Sequence, residues 1–159
     1  MRKNIHSFII LLKPLSCIPA LLMMFLIFSY SSQNGTTSGS LSQNISYKIV
    51  SAGSHLMHLK SSDKDIQTAA RKIEYPLRKL AHMTEYFIFA LAVLFSLYVY
   101  GLRGLPLLLT AGFICVCFAG SDEYHQSFVS GREPSIRDVG IDSIGIFLGL
   151  YCGHHFHKI

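Results

Sequence analysis

Four apolar blocks, roughly residues 8–30, 80–100, 105–120 and 139–156, leave this 159-residue chain few architectures to choose from. A bilayer core asks for about 20 consecutive apolar residues in helical form, with about 17 to 25 tolerated, because each residue advances a helix by only about 1.5 Å. The first, second and fourth blocks are long enough, and the third reaches that length if its helix continues through Ser121 to His125. Composition points the same way. Half of the residues are hydrophobic and only 14% are charged, where a soluble domain carries about 25% charged residues. The expectation is an all-α integral membrane protein, one domain over residues 1–159, with about four transmembrane helices near 8–30, 77–100, 105–125 and 136–156.

Arg2 and Lys3 precede the first block as they would in a signal peptide, but the run is long and no small-x-small site follows it, so it reads as a retained anchor. Pro14 and Pro19 should delay its regular helix to about Pro19. Residues 31–76 read as a long polar loop. Within it SSQNGTTSGSLSQN is rich in Ser, Asn, Gly and Thr, the composition of a water-exposed connection. Further on, SSDKDIQTAARKIEY predicts a short amphipathic helix capped by Ser62 or Asp63, with Ile66, Ala69, Ala70 and Ile73 on its apolar side. Pro76 would then fall in the first turn of the second span, where a missing N–H is harmless. GLRGLP at 101–106 makes the second and third spans antiparallel neighbours.

Gly145, Gly149 and Gly153 recur every fourth residue in the fourth block and form a smooth strip along one helix face. Such strips let backbones approach closely in lipid. The preferred reading is a packing face inside the chain, the alternative a homo-oligomer contact. Cys17, Cys115, Cys117 and Cys152 lie inside the apolar blocks without a CxxC pair and read as small buried hydrophobes. The formal charge of +5 suits contact with anionic membrane lipids. No basic stripe interleaved with aromatics marks a nucleic-acid partner. The basic amino terminus favours both termini in the cytoplasm, which leaves 31–78 and 121–138 outside.

Between the third and fourth blocks stands SDEYHQSFVSGREPSIRD, dense in charge. With four antiparallel spans it shares one membrane face with RKLAHMTEYF of the second helix. On a helical wheel Lys79, His82 and Tyr86 fall within about 60° of each other, with Glu85 within about another 100°. Asp122 and Gln126 are one turn apart near the end of the third helix, and Asp138 and Asp142 one turn apart at the start of the fourth. A charge within a spanning helix is costly unless paired or hydrated, so such residues face the bundle interior and mark function. The plainest account is a structural plug in which Lys79, Arg132 and Arg137 neutralise Glu85, Asp122, Glu123 and Asp138. The added His82, His125 and Gln126 beside Gly131 argue for more than pairing.

The motifs KLAHMTEY, DEYHQSF, GREPSIRDV and DSIGIFLG, with FSYSSQ after the first span, together resemble the VanZ-like family of small bacterial membrane proteins, named for a protein associated with teicoplanin resistance. The resemblance covers most of the chain outside roughly 45–70. Position by position it falls on Lys79, His82, Glu85, Tyr86, Asp122, Glu123, Gln126, Gly131, Arg132 and Asp138, while Asp142 stands where the family usually shows Asn. It implies a multi-pass protein of the bacterial plasma membrane and a role in protecting the cell envelope against glycopeptide antibiotics, without supplying a reaction.

The resulting expectation is an outward-facing polar cavity that binds or modifies a lipid headgroup or lipid-linked wall precursor. If a reaction takes place there, His82 or Glu85 is the candidate base, and Asp122 and Glu123 are the candidate acids. Lys79, Tyr86, Gln126, Arg132, Arg137, Asp138 and Asp142 are the candidate binding residues. Two alternatives stand beside it. One is a divalent metal site drawn from His82, Glu85, Asp122, Glu123, His125 and Asp138. The other is a small transporter component with an intramembrane proton relay.

Overall fold

The structure, a computed structural model, describes residues 13–58, 61–133 and 135–157. A 3-10 turn at Lys13–Cys17 leads into helix α1, Ile18–Ser31. Helix α2 spans Gly35–Leu56, α3 Asp63–Tyr100, α4 Gly104–Gln126 and α5 Ile136–His157. The start of α1 follows from its prolines. Pro19 occupies the first turn of the helix, where it removes only an N–H that has no intrahelical partner. Residues 8–12, the first part of the predicted span, lie outside the described residues.

Helix α3 is the axis of the molecule, and α1, α2, α4 and α5 all pack on it. Its buried face carries Tyr86, Phe89, Ala90, Val93 and Leu94, which meet Ile27 of α1, Leu107, Ala111, Cys115 and Ala119 of α4 and Ile146 of α5. Gly101 ends α3 in the left-handed conformation, φ 107°, which lets the chain turn at once into α4. The glycine strip of α5 lies against α3. A Cβ on Gly145 would sit 2.2 Å from the Met83 carbonyl oxygen, and one on Gly149 would sit 2.6 Å from that of Phe87. The strip therefore packs on α3 within the chain.

Two expectations need correction. The first is the exposed loop at 31–56, where the structure has the 22-residue helix α2. Asn34 caps it, its side-chain oxygen accepting a 2.8 Å bond from the Thr37 N–H. Ser42 donates to Glu74 on α3 at 2.9 Å, and Ser46 is fully buried. Residues that favour turns in isolation here supply a thin helix face against α3, and tertiary packing overrides propensity. The second is the break at Pro76. The predicted amphipathic helix and the second span are one continuous 38-residue helix with Pro76 inside it. Asp65 closes its amino end by accepting from the Ser62 N–H at 3.2 Å, while Ile66 and Ala70 are buried.

Among the described residues, three helical segments are long and apolar enough to cross a membrane: Lys13–Ser31, α3 and α4. Helix α5 has the length, but Asp138 and Asp142 at one end, His154 and His155 at the other and three glycines between dilute its apolar run. The described residues thus form an all-helical membrane protein with three candidate spans by length and composition.

If the strip sets the α3–α5 distance, Gly145→Ala should lower the unfolding free energy by about 1–3 kcal/mol, because a methyl group must displace backbone. Gly140→Ala, whose added Cβ meets nothing within 4 Å, should leave it unchanged. Denaturation of both variants in detergent measures the difference.

Candidate functional site

The polar residues collect where the end of α4, the 127–135 connection and the start of α5 meet the middle of α3. Gly35 and Gly131 hold the connection against the start of α2. The Gly35 N–H donates to the Ser130 carbonyl at 3.0 Å, and a Cβ on Gly35 would lie 1.9 Å from the Gly131 oxygen. Gly131 itself has φ +74°, where other residues are strained. Arg132 then reaches back to the end of α1, its Nε donating to the Gln33 carbonyl and its NH2 to that of Tyr30, both at 3.1 Å.

These contacts enclose a cavity of about 430 Å³. Tyr75, Arg78, Lys79 and His82 of α3 line one wall, and Glu123 and Gln126 of α4 another. Arg132 and Glu133 come from the connection and Arg137, Asp138 and Asp142 from α5. Eight of the candidate residues are therefore brought together: Lys79, His82, Glu123, Gln126, Arg132, Arg137, Asp138 and Asp142.

The other three lie elsewhere. Tyr86 is fully buried, edge-on to Phe89 and near Phe118. Asp122 is buried beside the cavity in a small network. Ser31 donates to its Oδ2 at 2.7 Å, and Gln126 Nε2 donates to the same oxygen at 3.1 Å and to Ser31 at 3.2 Å. Glu85 lies outside the cavity lining, on the groove beside it, and faces His82 Nδ1 at 3.4 Å.

The cavity lining holds four cations, Arg78, Lys79, Arg132 and Arg137, and four carboxylates, Glu123, Glu133, Asp138 and Asp142, but they are unevenly paired. Lys79 is paired with Asp138 at 2.5 Å, and Glu123 accepts a 2.6 Å bond from the Ser135 N–H. Among the described residues the ion pairs are Lys79–Asp138 and His82–Glu85, so Arg78, Arg132 and Arg137 line the cavity without a carboxylate partner. Arg78 lies over the Tyr75 ring at 6.0 Å. Burial pushes the Arg132 guanidinium below its ordinary range, Arg78 pushes it further down, and Asp122 and Glu123 pull it back. An anion between these guanidinium groups relieves that repulsion, and their forked donors suit carboxylate or phosphate oxygens.

Ser31, Tyr75 and Arg78 escaped the sequence reading. Tyr75, Arg78 and His82 follow the three- and four-residue steps of one helix face, a signal hidden by treating Pro76 as the start of the helix. The six expected metal ligands are not gathered: among the described residues no group of three His, Cys, Asp or Glu side chains is placed to hold an ion.

Fold and site together define a small helical membrane protein with a highly charged cavity at one end of its bundle. The chain belongs to the VanZ/LLP1 family, whose model matches residues 16–157, nearly its whole length. That membership points to a cell-envelope protein linked to glycopeptide resistance. No curated protein and no solved structure gives a significant match.

The Ser31–Asp122–Gln126 network ties α1 to α4 beneath the cavity. Ser31→Ala should cost about 1–3 kcal/mol, since it leaves a buried carboxylate short of a donor. Ser29→Ala should cost little, because that exposed hydroxyl bonds only its own helix at Phe25. Thermal unfolding in detergent distinguishes them.

Proposed function

We propose that this protein acts in the cell envelope by binding, in its arginine-lined cavity, the anionic group of a lipid or a lipid-linked wall precursor. The observation that carries the reading is the set of three cavity arginines, Arg78, Arg132 and Arg137, that have no carboxylate partner. A structural plug pairs its charges, because an unpaired charge withdrawn from water costs several kcal/mol. Here three carboxylates are engaged elsewhere, Asp138 by Lys79, Glu123 by the Ser135 backbone and Asp122 by Ser31 and Gln126, while Glu133 and Asp142 line the cavity without an ion pair among the described residues. Arg132 is held by the Tyr30 and Gln33 carbonyls, and the guanidinium groups of Arg78 and Arg137 are left for a ligand.

The cavity sits at the amino end of α5 and the carboxyl end of α4, close to where the apolar part of α3 begins. That is the level at which lipid headgroups lie. In this reading α5 crosses the bilayer as a fourth span, its Asp138 and Asp142 facing the cavity and its glycine strip facing α3. The amino terminus lies in the cytoplasm and the cavity opens outward. His82 brings to the cavity an imidazole, the side chain whose ordinary range lies near neutral pH, and its neighbour Glu85 orients it, so any modification of the bound group would use this pair.

Arg78→Gln and Arg137→Gln should each abolish glycopeptide tolerance in cells while the protein stays folded and at normal abundance. The double variant should be little worse than either, as expected of groups acting on one ligand. Tolerance that falls only in step with protein level would return the cluster to a structural role. For orientation, a cysteine at exposed Asn44, in a chain lacking the four native cysteines, should react with an impermeant thiol reagent in intact cells. Labelling in lysed cells alone would reverse the topology.

A further inference from the structure

The charged cavity adjoins a second concavity of different character. A groove of about 570 Å³ lies between α2 and α3 beside the end of α1, with Leu41 and Ile45 on one wall and Leu77, Leu80 and Ala81 on the other. Arg78, His82 and Arg132 border both spaces, so the groove and the cavity share one wall. Leu41 is 47%, Ile45 45% and Leu80 57% exposed. A single exposed Leu needs no explanation, but apolar side chains gathered in one groove beside unpaired cations do.

We infer that this groove seats the hydrocarbon chain of a membrane lipid whose anionic group lies in the cavity. Three observations favour that occupant. The apolar walls are continuous with the cations, so a molecule carrying both an anion and a hydrocarbon chain matches the two spaces at once. The groove flanks residues 77–84 of α3, immediately before the buried apolar stretch that opens at Tyr86, which puts it at the membrane surface. Finally α2, which supplies Leu41 and Ile45, is fixed to the site's own connection by the Gly35–Ser130 bond and the Gly35–Gly131 contact, so cavity and groove form one unit. The inference rests on the cavity reading above and adds a requirement for a long chain.

Native mass spectrometry of the purified full chain in detergent, titrated with dioleoyl and with dihexanoyl phosphatidylglycerol, tests it. The unaltered protein should bind the long-chain lipid at least about tenfold more tightly, since each buried methylene adds affinity. Ile45→Glu, at a half-exposed position, should abolish that preference while leaving dihexanoyl binding unchanged. Arg137→Gln, which borders the cavity and not the groove, should weaken both lipids equally. An unchanged chain-length preference in Ile45→Glu overturns the groove assignment even if Arg137→Gln still weakens binding. Should Ile45→Glu instead convert a dimer to a monomer with lipid binding intact, the groove belongs to a second copy and the inference fails. Lipid binding insensitive to Arg137→Gln would contradict the cavity reading itself.

Discussion

The close approach of α5 to α3 is the constraint on which the rest depends. Only glycine permits it: side chains at 145 and 149 would run into the carbonyl oxygens of Met83 and Phe87. Those two carbonyls lie one turn apart, immediately past His82. The same contact therefore sets the register that brings Asp138 to Lys79 and Asp142 to the wall that His82 lines. Packing and site are one arrangement here, because the strip begins three residues after Asp142. A second close contact, Gly35 on Gly131, does for the connection what the strip does for the helix.

Charge then decides what the arrangement is for. A membrane protein gains little by burying ions for stability alone, since the desolvation of each offsets most of the attraction between them. Asp122 Oδ2, Glu123 and Asp138 have hydroxyl, amide, backbone or ammonium donors, whereas the buried Asp122 Oδ1 has none. The arginines differ. Arg132 spends its donors on two backbone carbonyls that hold the connection closed, and Arg78 and Arg137 keep theirs free of carboxylates. Such a site is pre-formed by its carboxylate contacts and selective through its guanidinium groups.

Much of this was legible in the chain, and the exceptions have physical causes. The apolar blocks foretold α1, α3, α4 and α5 because bilayer thickness imposes a length that composition reveals. The turn-spaced pairs foretold that Lys79, Gln126 and Asp138 would converge, since helical phasing is fixed by geometry. Helix α2 was hidden because Gly, Ser, Asn and Thr are poor helix formers alone, and nothing local shows that Ser42 and Ser46 will face another helix. Pro76 hid the continuity of α3, and with it the place of Tyr75 and Arg78. Glu85 and Asp122 shared the expected level but not the expected direction, which only packing determines.

The central claim is that the cavity's unpaired arginines await an anionic group from the membrane. An electron cryo-microscopy structure of the protein in native lipid measures this most directly. The account predicts density for a phosphate or carboxylate within about 3 Å of the Arg78 and Arg137 guanidinium groups, the distance of a charge-assisted hydrogen bond. A cavity in which Arg78 and Arg137 have instead turned onto Glu133 and Asp138, with only water between the walls, would contradict it.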